Sequence, residues 1–262
     1  MSGSGGPESA GSVTGGRPQL TIDGAVATVT LNRPERRNAM TPATWLGLAR
    51  IGEAIPEQVR VVVVRGAGPS FCAGIDLRLF SAEGVPGEER PPPGDAADFD
   101  QTIAGYQAGY RWLRNPQFVS IAAVQGHAIG AGFQLALACD LRILADDAKL
   151  CMKEPALGLV PDLTGTKPLV DLVGLARAIE ICLTARMVEA DEAVALRLAE
   201  LVVPGPELDA AVSDLAAALL STNVDAARAT KELLTQAAGN TLDQQAAAER
   251  QAQAQLLKYR AG

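Results

Sequence analysis

A glycine-punctuated stretch at residues 125–140, QGHAIGAGFQLALACD, constrains the fold of this chain most strongly. It follows the apolar run FVSIAAV at 118–124, whose length and β-branched content favour a buried strand. The glycines allow a sharp turn and a close approach of the backbone to its neighbours. An apolar run with helical character follows at 133–139. A strand, a turn and a helix start would leave N–H groups near Ala131 unpaired at the positive end of the helix dipole.

Two interpretations of this stretch follow from the residues. Unpaired N–H groups at a helix start can hold an anion, or an oxygen that becomes negative during a reaction. Alternatively, the glycines serve only the close packing of a helix on a sheet. A second stretch, GAGPSFCAGIDL at 66–77, has the same character, because it follows the run VRVVVVR at 59–65, typical of a strand buried on both faces. There Gly74 can free the N–H of Ile75.

Composition limits the class of protein. A chain of 262 residues with 48% hydrophobic side chains can bury one large core. No apolar run reaches the roughly 18 residues of a membrane span, and no signal-peptide pattern opens the chain, so we expect a soluble, cytoplasmic protein. The net charge of −7 argues against nucleic acid or an anionic membrane as partner.

The sequence contains no pattern typical of a metal site, a nucleophilic catalytic site or a dinucleotide site. The four cysteines are widely spaced without a C-x-x-C pair, which predicts reduced core thiols and no zinc site. His127 is the single histidine, and no G-x-S-x-G motif accompanies it, so we interpret it as a packed structural residue. The glycine spacing differs from G-x-G-x-x-G, which argues against a dinucleotide site.

The remaining pattern predicts an α/β body followed by helices. Residues 1–17 are predicted to be a disordered tail, 18–203 a core that carries the site, and 204–262 a helical region. The Pro/Gly-rich segment 81–97 is either a lid or a tolerated surface insertion. Strands are predicted at 20–31 (a hairpin about Asp23-Gly24), 59–65, 118–124, 141–145, 149–152 and 201–203. Helices are predicted at 43–55, from 99 to about 115, and at 133–139, 175–183, 191–197, 208–220, 224–236 and 242–259.

Two carboxylates stand among small and apolar residues in the passage EPALGLVPDLTGT at 154–166. Glu154 and Asp162 are each placed either for chemistry or to cap a helix. For Asp162, just ahead of Leu163, the N-cap and the functional interpretation are equally open.

Four segments together resemble the crotonase superfamily, also called the enoyl-CoA hydratase/isomerase family, over residues 20–260. They are LNRPERRNA at 31–39, FCAGIDL at 71–77, GHAIGAGFQLALACD at 126–140 and EPALGLVPD at 154–162. The resemblance implies a crotonase-like core of repeated ββα spiral turns, and C-terminal helices that build a homotrimer or a dimer of trimers. It also implies an acyl-CoA thioester as ligand, with coenzyme A as part of the substrate and no separate cofactor.

The resemblance also assigns site residues. The backbone N–H groups of Ile75 and Ala131 correspond to the family's oxyanion hole, and Glu154, Asp162 and Gln134 to its catalytic positions. Substrate and CoA contacts are implied at Arg36, Arg37, Ala39, Ala73, Asp76, Leu77, Arg78 and Gly130.

The chain departs from the family pattern at Gln134. Hydratases that it resembles carry glutamates at the positions of Gln134 and Glu154, and an amide can orient a water but cannot serve as its base. A single glutamate at position 154 resembles Δ3,Δ2-enoyl-CoA isomerases, and an acid at position 162 resembles dienoyl-CoA isomerases. We therefore expect a hydratase/isomerase-type enzyme that works through an enolate with Glu154 as general acid/base. The alternatives are an enoyl-CoA isomerase and a catalytically silent acyl-CoA-binding protein.

Overall fold

The structure is a computed structural model that describes residues 17–88 and 96–260. Most of the predicted N-terminal tail, residues 1–16, lies outside the described residues. The described strands are β1 (Gln19–Asp23), β2 (Val26–Leu31), β3 (Val61–Gly66), β4 (Val119–Val124), β5 (His127–Ile129), β6 (Leu141–Ala145), β7 (Lys149–Cys151), β8 (Val188–Glu189) and β9 (Leu201–Val203).

The described α-helices separate these strands and follow them. They are α1 (Pro42–Ala54), α2 (Ala96–Arg111), α3 (Ala131–Ala138), α4 (Thr166–Val173), α5 (Leu175–Thr184), α6 (Ala190–Ala195), α7 (Leu208–Leu220), α8 (Val224–Ala237) and α9 (Leu242–Arg260).

The larger sheet has the strand order β1-β2-β3-β4-β6-β9. Strands β2, β3, β4, β6 and β9 run parallel, whereas β1 and β2 form the predicted antiparallel hairpin around Gly24, whose φ is +55°. Such a positive φ suits glycine at the tight turn between the two strands.

A smaller sheet, β5-β7-β8, lies beside the larger one. The chain passes from the large sheet to the small one at β4–β5 and again at β6–β7. An earlier passage is the segment after β3, where Cys72 forms an isolated bridge with Ala128 of β5. This repetition gives the α/β crotonase-like core that the sequence predicted.

Strand β3 explains the continuous apolar run of the sequence. Val62 and Val64 face the main hydrophobic core, while Val61 and Val63 face a second cluster on the opposite side of the sheet. Helix α7 covers that second face with three buried side chains, Leu208, Val212 and Ala216. The β-branched run is therefore buried on both faces, as predicted.

The last two helices are attached by polar contacts. Lys231 of α8 lies 2.6 Å from the Asp140 carboxylate and donates to the carbonyl oxygen of Phe118 at 2.6 Å. Helix α9 packs along α8. Helix α8 has no buried residue, so polar side chains within the helix, such as Lys231, make much of its contact with the core.

Three elements were missed from the sequence. Strand β5 stands between the glycine turn and α3, and β8 has only two residues, too few to show a period of two. Helix α4 was missed because Pro168 reads as a breaker. It is the third residue of the helix, where its missing N–H needs no partner.

Part of the segment predicted as a lid or an insertion is attached to the core. Val85 is buried, and Glu88 reaches the start of α1, where one carboxylate oxygen accepts from the N–H of Ala43 at 3.0 Å and the other from the hydroxyl of Thr41. Residues 89–95 lie outside the described residues, so the choice between lid and insertion stays open for them.

No helix of the described residues combines the length and hydropathy that a membrane span requires. The cytoplasmic location stays a prediction.

Glu88→Ala is expected to lower the free energy of unfolding by about 1–2 kcal/mol, because a carboxylate that caps a helix N-terminus satisfies its free donors and its dipole. Chemical denaturation measures the change. Glu83→Ala, which removes an exposed carboxylate from the same loop, is the matched control and should stay within about 0.5 kcal/mol of wild type. Equal losses in the two variants would contradict the capping role.

Candidate active site

The two glycine turns of the sequence meet in the structure. The N–H of Cys72 donates to the His127 oxygen at 2.8 Å, and the N–H of Ile129 donates to the Cys72 oxygen at 2.9 Å. Gly74, with φ of +95°, then lies so close to the next turn that a Cβ on it would stand 2.8 Å from the Ile129 oxygen and 4.0 Å from the Ala131 nitrogen. Only glycine fits there, and the segment that leads to Ile75 runs beside the start of α3.

The orientation of the Ile75 N–H follows from its neighbours. The N–H of Met40 donates to the Gly74 oxygen at 2.7 Å, and the N–H of Asp76 donates to the Met40 oxygen at 2.9 Å. In a parallel bridge of this kind, the N–H of the intervening residue points away from the paired segment. Among the described residues, the Ile75 N–H has no hydrogen-bond acceptor.

The Ala131 N–H is the first of α3. Gly130 precedes it with φ of +51° and donates its own N–H to the Cys151 oxygen at 2.7 Å. No acceptor for the Ala131 N–H occurs within the described part of the chain. Every residue of α3 is buried, so this donor and the positive helix end act in an environment of low polarity.

Tyr110 of α2 connects the two donor segments. Its hydroxyl donates to the Ala131 oxygen at 3.1 Å, lies 3.1 Å from the Met40 sulfur and accepts from the Trp45 indole N–H at 3.2 Å. The side chain is fully buried, and burial raises the pKa of Tyr110 well above its usual value, so the hydroxyl stays protonated. In the sequence analysis, Tyr110 is only one residue of the helix predicted from residue 99 to about 115.

Glu154 lies over the same turn. It opens a short 3-10 turn after β7 and is 8% exposed. A Cβ on Gly130 would stand 3.0 Å from its Oε1 and 3.4 Å from its Oε2, so the carboxyl group lies one residue from the Ala131 donor. Burial raises the pKa of Glu154, and a hydrogen bond from Gln134 opposes that rise.

Gln134 is fully buried on α3 and is engaged at both ends of its amide. Its Nε2 donates to Glu154 Oε1 at 2.7 Å, while its Oε1 accepts from the backbone N–H groups of Leu163 at 2.9 Å and Gly165 at 3.1 Å. The other carboxylate oxygen, Glu154 Oε2, is buried and has no hydrogen-bond partner among the described residues.

Asp162 stands near Glu154 but does not cap a helix. Helix α4 begins at Thr166 with Gly165 at its N-cap, so the N-cap interpretation of Asp162 is wrong. One N–H that an Asp162 cap could have bound, that of Gly165, donates instead to the Gln134 oxygen. Burial raises the pKa of Asp162, and the charge of Asp162 in turn raises the pKa of Glu154.

A cluster of charged side chains borders the Ile75 segment. Asp76 Oδ2 lies 2.7 Å from Arg78 and 3.0 Å from Arg33. The hydrogen bond from Arg78 holds the pKa of Asp76 well below its usual range. Arg33 belongs to the segment LNRPERRNA, and its local sequence does not indicate the contact with Asp76.

The other residues predicted to contact substrate or CoA lie around the same segment. The N–H of Ala73 donates to the Arg37 oxygen at 2.8 Å, which joins the segment of Arg36 and Arg37 to the one that leads to Gly74. Their exposure differs. Exposed residues are Arg36, Arg37 and Leu77, and half-buried ones are Ala39 and Ala73.

Other chemistries find no comparable cluster. The described residues hold no group of three or more His, Cys, Asp or Glu side chains that could bind a metal ion. His127 Nδ1 lies 3.2 Å from the Ser70 hydroxyl. Burial raises the pKa of Cys72 and Cys139 to about 12, so these thiols are poor nucleophiles at neutral pH.

Comparison with known proteins agrees with this geometry. A family profile described as enoyl-CoA hydratase/isomerase matches residues 21–260. The chain belongs to the enoyl-CoA hydratase/isomerase family.

Solved structures of this family are similar to the chain in fold and sequence. A Thermobifida fusca protein, provisionally named an enoyl-CoA hydratase and solved in complex with CoA, is 62% identical with a TM-score of 0.90 over 93% of this chain and 94% of its own. The same protein in complex with acetoacetyl-CoA gives a TM-score of 0.89, with 92% of this chain and 95% of its own covered.

Two relatives found by sequence similarity are named for different activities, one a hydratase and one an isomerase. The (E)-benzylidenesuccinyl-CoA hydratase of Thauera aromatica is 33% identical over 84% of this chain and 80% of its own. The human mitochondrial Delta(3,5)-Delta(2,4)-dienoyl-CoA isomerase is 35% identical over 78% of this chain and 63% of its own. Hydratases and isomerases are therefore both similar to this member of the family.

Gly74→Ala is expected to lower the free energy of unfolding by at least about 2 kcal/mol, since the new Cβ would combine an unfavourable φ with a backbone clash. Gly24→Ala is the matched control, because Gly24 has φ of +55° and no atom within 4 Å of a Cβ. We expect a loss of about 1 kcal/mol there. Similar denaturation midpoints for the two variants would show that the close approach of the two turns is not needed.

Proposed function

We propose that this chain is an acyl-CoA enzyme of the hydratase/isomerase type, in which the N–H groups of Ile75 and Ala131 stabilise an enolate and Glu154 is the general acid/base. The observation that carries the proposal is the meeting of these two unpaired donors beside a buried carboxyl group with an unpaired oxygen. The CoA and acetoacetyl-CoA complexes of a protein 62% identical support the ligand class.

The donors suit the charge that the reaction creates. Removing a proton from C2 of an acyl-CoA, or adding water across C2=C3, moves negative charge onto the thioester oxygen. Two fixed N–H donors away from water stabilise that charge more than they stabilise the neutral substrate. Loss of one such donor typically raises a barrier by on the order of 3 kcal/mol.

Glu154 suits the proton transfer. Burial raises the pKa of Glu154 toward neutral pH. A group that first takes and then returns a proton works best when its pKa lies near the working pH. Asp162, whose pKa burial also raises, is the second acid/base candidate.

The charged cluster offers a way for an acidic protein to bind a polyanion. Asp76 neutralises one of the two arginines that it contacts, so Arg33, Asp76 and Arg78 together keep one positive charge. The exposed Arg36 and Arg37 add to it in the neighbouring turn. We assign the CoA phosphates to this side of the site.

Gln134 bears on two narrower functions, those of an enoyl-CoA isomerase and of a catalytically silent acyl-CoA-binding protein. The Gln134 oxygen accepts hydrogen bonds from two backbone N–H groups. Of positions 134 and 154, which carry glutamates in the hydratases that the chain resembles, only position 154 has a carboxylate here. This favours an enoyl-CoA isomerase over a hydratase. The same substitution would also suit a catalytically silent acyl-CoA-binding protein.

Turnover of crotonyl-CoA and of a 3-enoyl-CoA by wild type and by Glu154→Gln tests the proposal. We expect wild type to convert at least one of them, and the variant to be slower by about 10²–10⁴-fold, because it lacks a proton-transfer group. Glu53→Gln, an exposed change on α1, is the control for altered charge. Equal rates in wild type and Glu154→Gln would refute the role of Glu154, and tight thioester binding without turnover would favour the silent protein.

We further propose that the chain forms a homotrimer or a dimer of trimers. Leu175, Ile179 and Leu183 recur every four residues on α5, and all three are exposed in the single chain. Such an apolar stripe is typical of a surface that another subunit covers.

Analytical ultracentrifugation tests this assembly. We expect a mass three or six times that of the chain, and a smaller mass for Leu183→Asp, which places a charge in the stripe. Lys167→Asp, a change of an exposed side chain on α4, is the control for surface charge. A wild-type monomer would refute the proposal.

A further inference from the structure

We infer that Gln134 is a positioning residue that makes Glu154 act through a single oxygen. Its amide holds Oε1 of Glu154 as a hydrogen-bond acceptor and leaves Oε2 as the atom that exchanges a proton with the substrate. The inference rests on the proposed role of Glu154 as general acid/base.

The orientation of the Gln134 amide is fixed by its partners. Its Oε1 faces two backbone N–H groups, those of Leu163 at 2.9 Å and Gly165 at 3.1 Å. These groups can only donate, so the atom that faces them must be the oxygen. A flipped amide would set its NH₂ group against two donors and its oxygen against a carboxylate oxygen. Nε2 therefore points at Glu154.

This orientation decides what each oxygen of Glu154 can do. Nε2 of Gln134 donates to Oε1 at 2.7 Å, and the donor has no lone pair to receive a proton in return. A proton on Oε1 would have to point away from this partner. Oε2 is buried without any partner among the described residues, so it is the oxygen that is free to bind a proton.

The side chain that imposes this arrangement has little room to move. Gln134 belongs to the buried helix α3, and a Cβ on Gly165 would stand only 2.5 Å from its Cγ. The glycine thus lets the backbone of the 163–165 segment close over the amide. The buried side chain of Gln134 therefore links α3 by hydrogen bonds to Glu154 and to the segment that follows Asp162.

The hydrogen bond also affects the ionisation of Glu154 in a direction that can be measured. A donor to the carboxylate stabilises the charged form and lowers the pKa of Glu154, against the effect of burial. Removing the donor should therefore raise that pKa further. The pH at which activity falls on the acid side would then move upward.

The test compares the pH profiles of kcat/KM for wild type, Gln134→Met and Gln134→Glu, on whichever of crotonyl-CoA and a 3-enoyl-CoA the wild type converts. Gln134→Met keeps the length of the side chain and loses both hydrogen-bonding ends. We expect kcat/KM to fall on the order of 10- to 100-fold, mainly through kcat, because the carboxyl group is no longer held in place. Its acid limb should lie at higher pH than that of wild type.

Gln134→Glu separates the two functions of the amide. It keeps an oxygen for the N–H groups of Leu163 and Gly165 but replaces the donor to Glu154 by a second carboxylate oxygen. Two buried carboxyl groups at this distance share one proton, which acts as the missing donor until it is lost. We expect activity that falls again at high pH, where wild type keeps its rate.

The control is Gln125→Met, which removes the amide of a half-buried glutamine that also donates to backbone oxygens. Gln125 donates to the oxygens of Gly66 at 2.7 Å and Gly68 at 3.0 Å and has no contact with Glu154. Its variant should keep the acid limb of wild type, whatever it loses in stability. Thermal unfolding of each variant identifies those that are folded.

Each result decides between the inference and its premise. An acid limb of folded Gln134→Met that coincides with that of wild type would overturn the inference. If that variant is unfolded, a Gln134→Glu profile without a high-pH fall would do so instead. Glu154→Gln, assayed in parallel, separates the premise: wild-type rates in that variant would refute the proposed function itself, whereas an inactive Glu154→Gln with unshifted Gln134 profiles would refute only the role of Gln134.

Discussion

The site depends on the pairing of the segment after β3 with β5. Two backbone hydrogen bonds between Cys72 and the β5 strand bring Gly74 against the turn that starts α3, and the missing side chain of Gly74 allows the contact. Two N–H groups from distant parts of the sequence, those of Ile75 and Ala131, are thereby left unpaired side by side. A flexible loop could not hold these two donors in fixed positions. The hydrogen bonds of the neighbouring strand segments do so.

Electrostatics divides the site into two regions. On one side, the buried Asp76 lies between two partly exposed arginines, and the mutual attraction of these charges keeps the aspartate ionised. On the other, Glu154 is buried and Asp162 half-buried, and desolvation favours their protonated forms. The two pairs of effects suit different parts of one acyl-CoA molecule. In the proposed function, the first region would face the polyanionic end of the ligand and the second its uncharged acyl chain.

The sequence predicted the scaffold better than the contacts within the site. The β-branched run of β3 and the glycine turns have local signatures, and both elements appear where they were expected. Glu88, Arg33 and Gln134 act on residues far away in the chain, and their own neighbours in sequence carry no sign of those partners. Asp162 shows the limit most directly. Its position just ahead of Leu163 suggested a cap, but helix α4 begins only at Thr166, and Gln134 of α3 accepts from the N–H groups of Leu163 and Gly165.

The hydroxyl of Tyr110 touches both halves of the donor pair, through the Ala131 carbonyl oxygen on one side and the Met40 sulfur on the other. The start of α3 and the Met40 segment that pairs with Ile75 therefore share one hydrogen-bonding partner. One buried phenol thus couples the long helix α2 to both backbone segments, so that a change in the helix is felt at the two turns together.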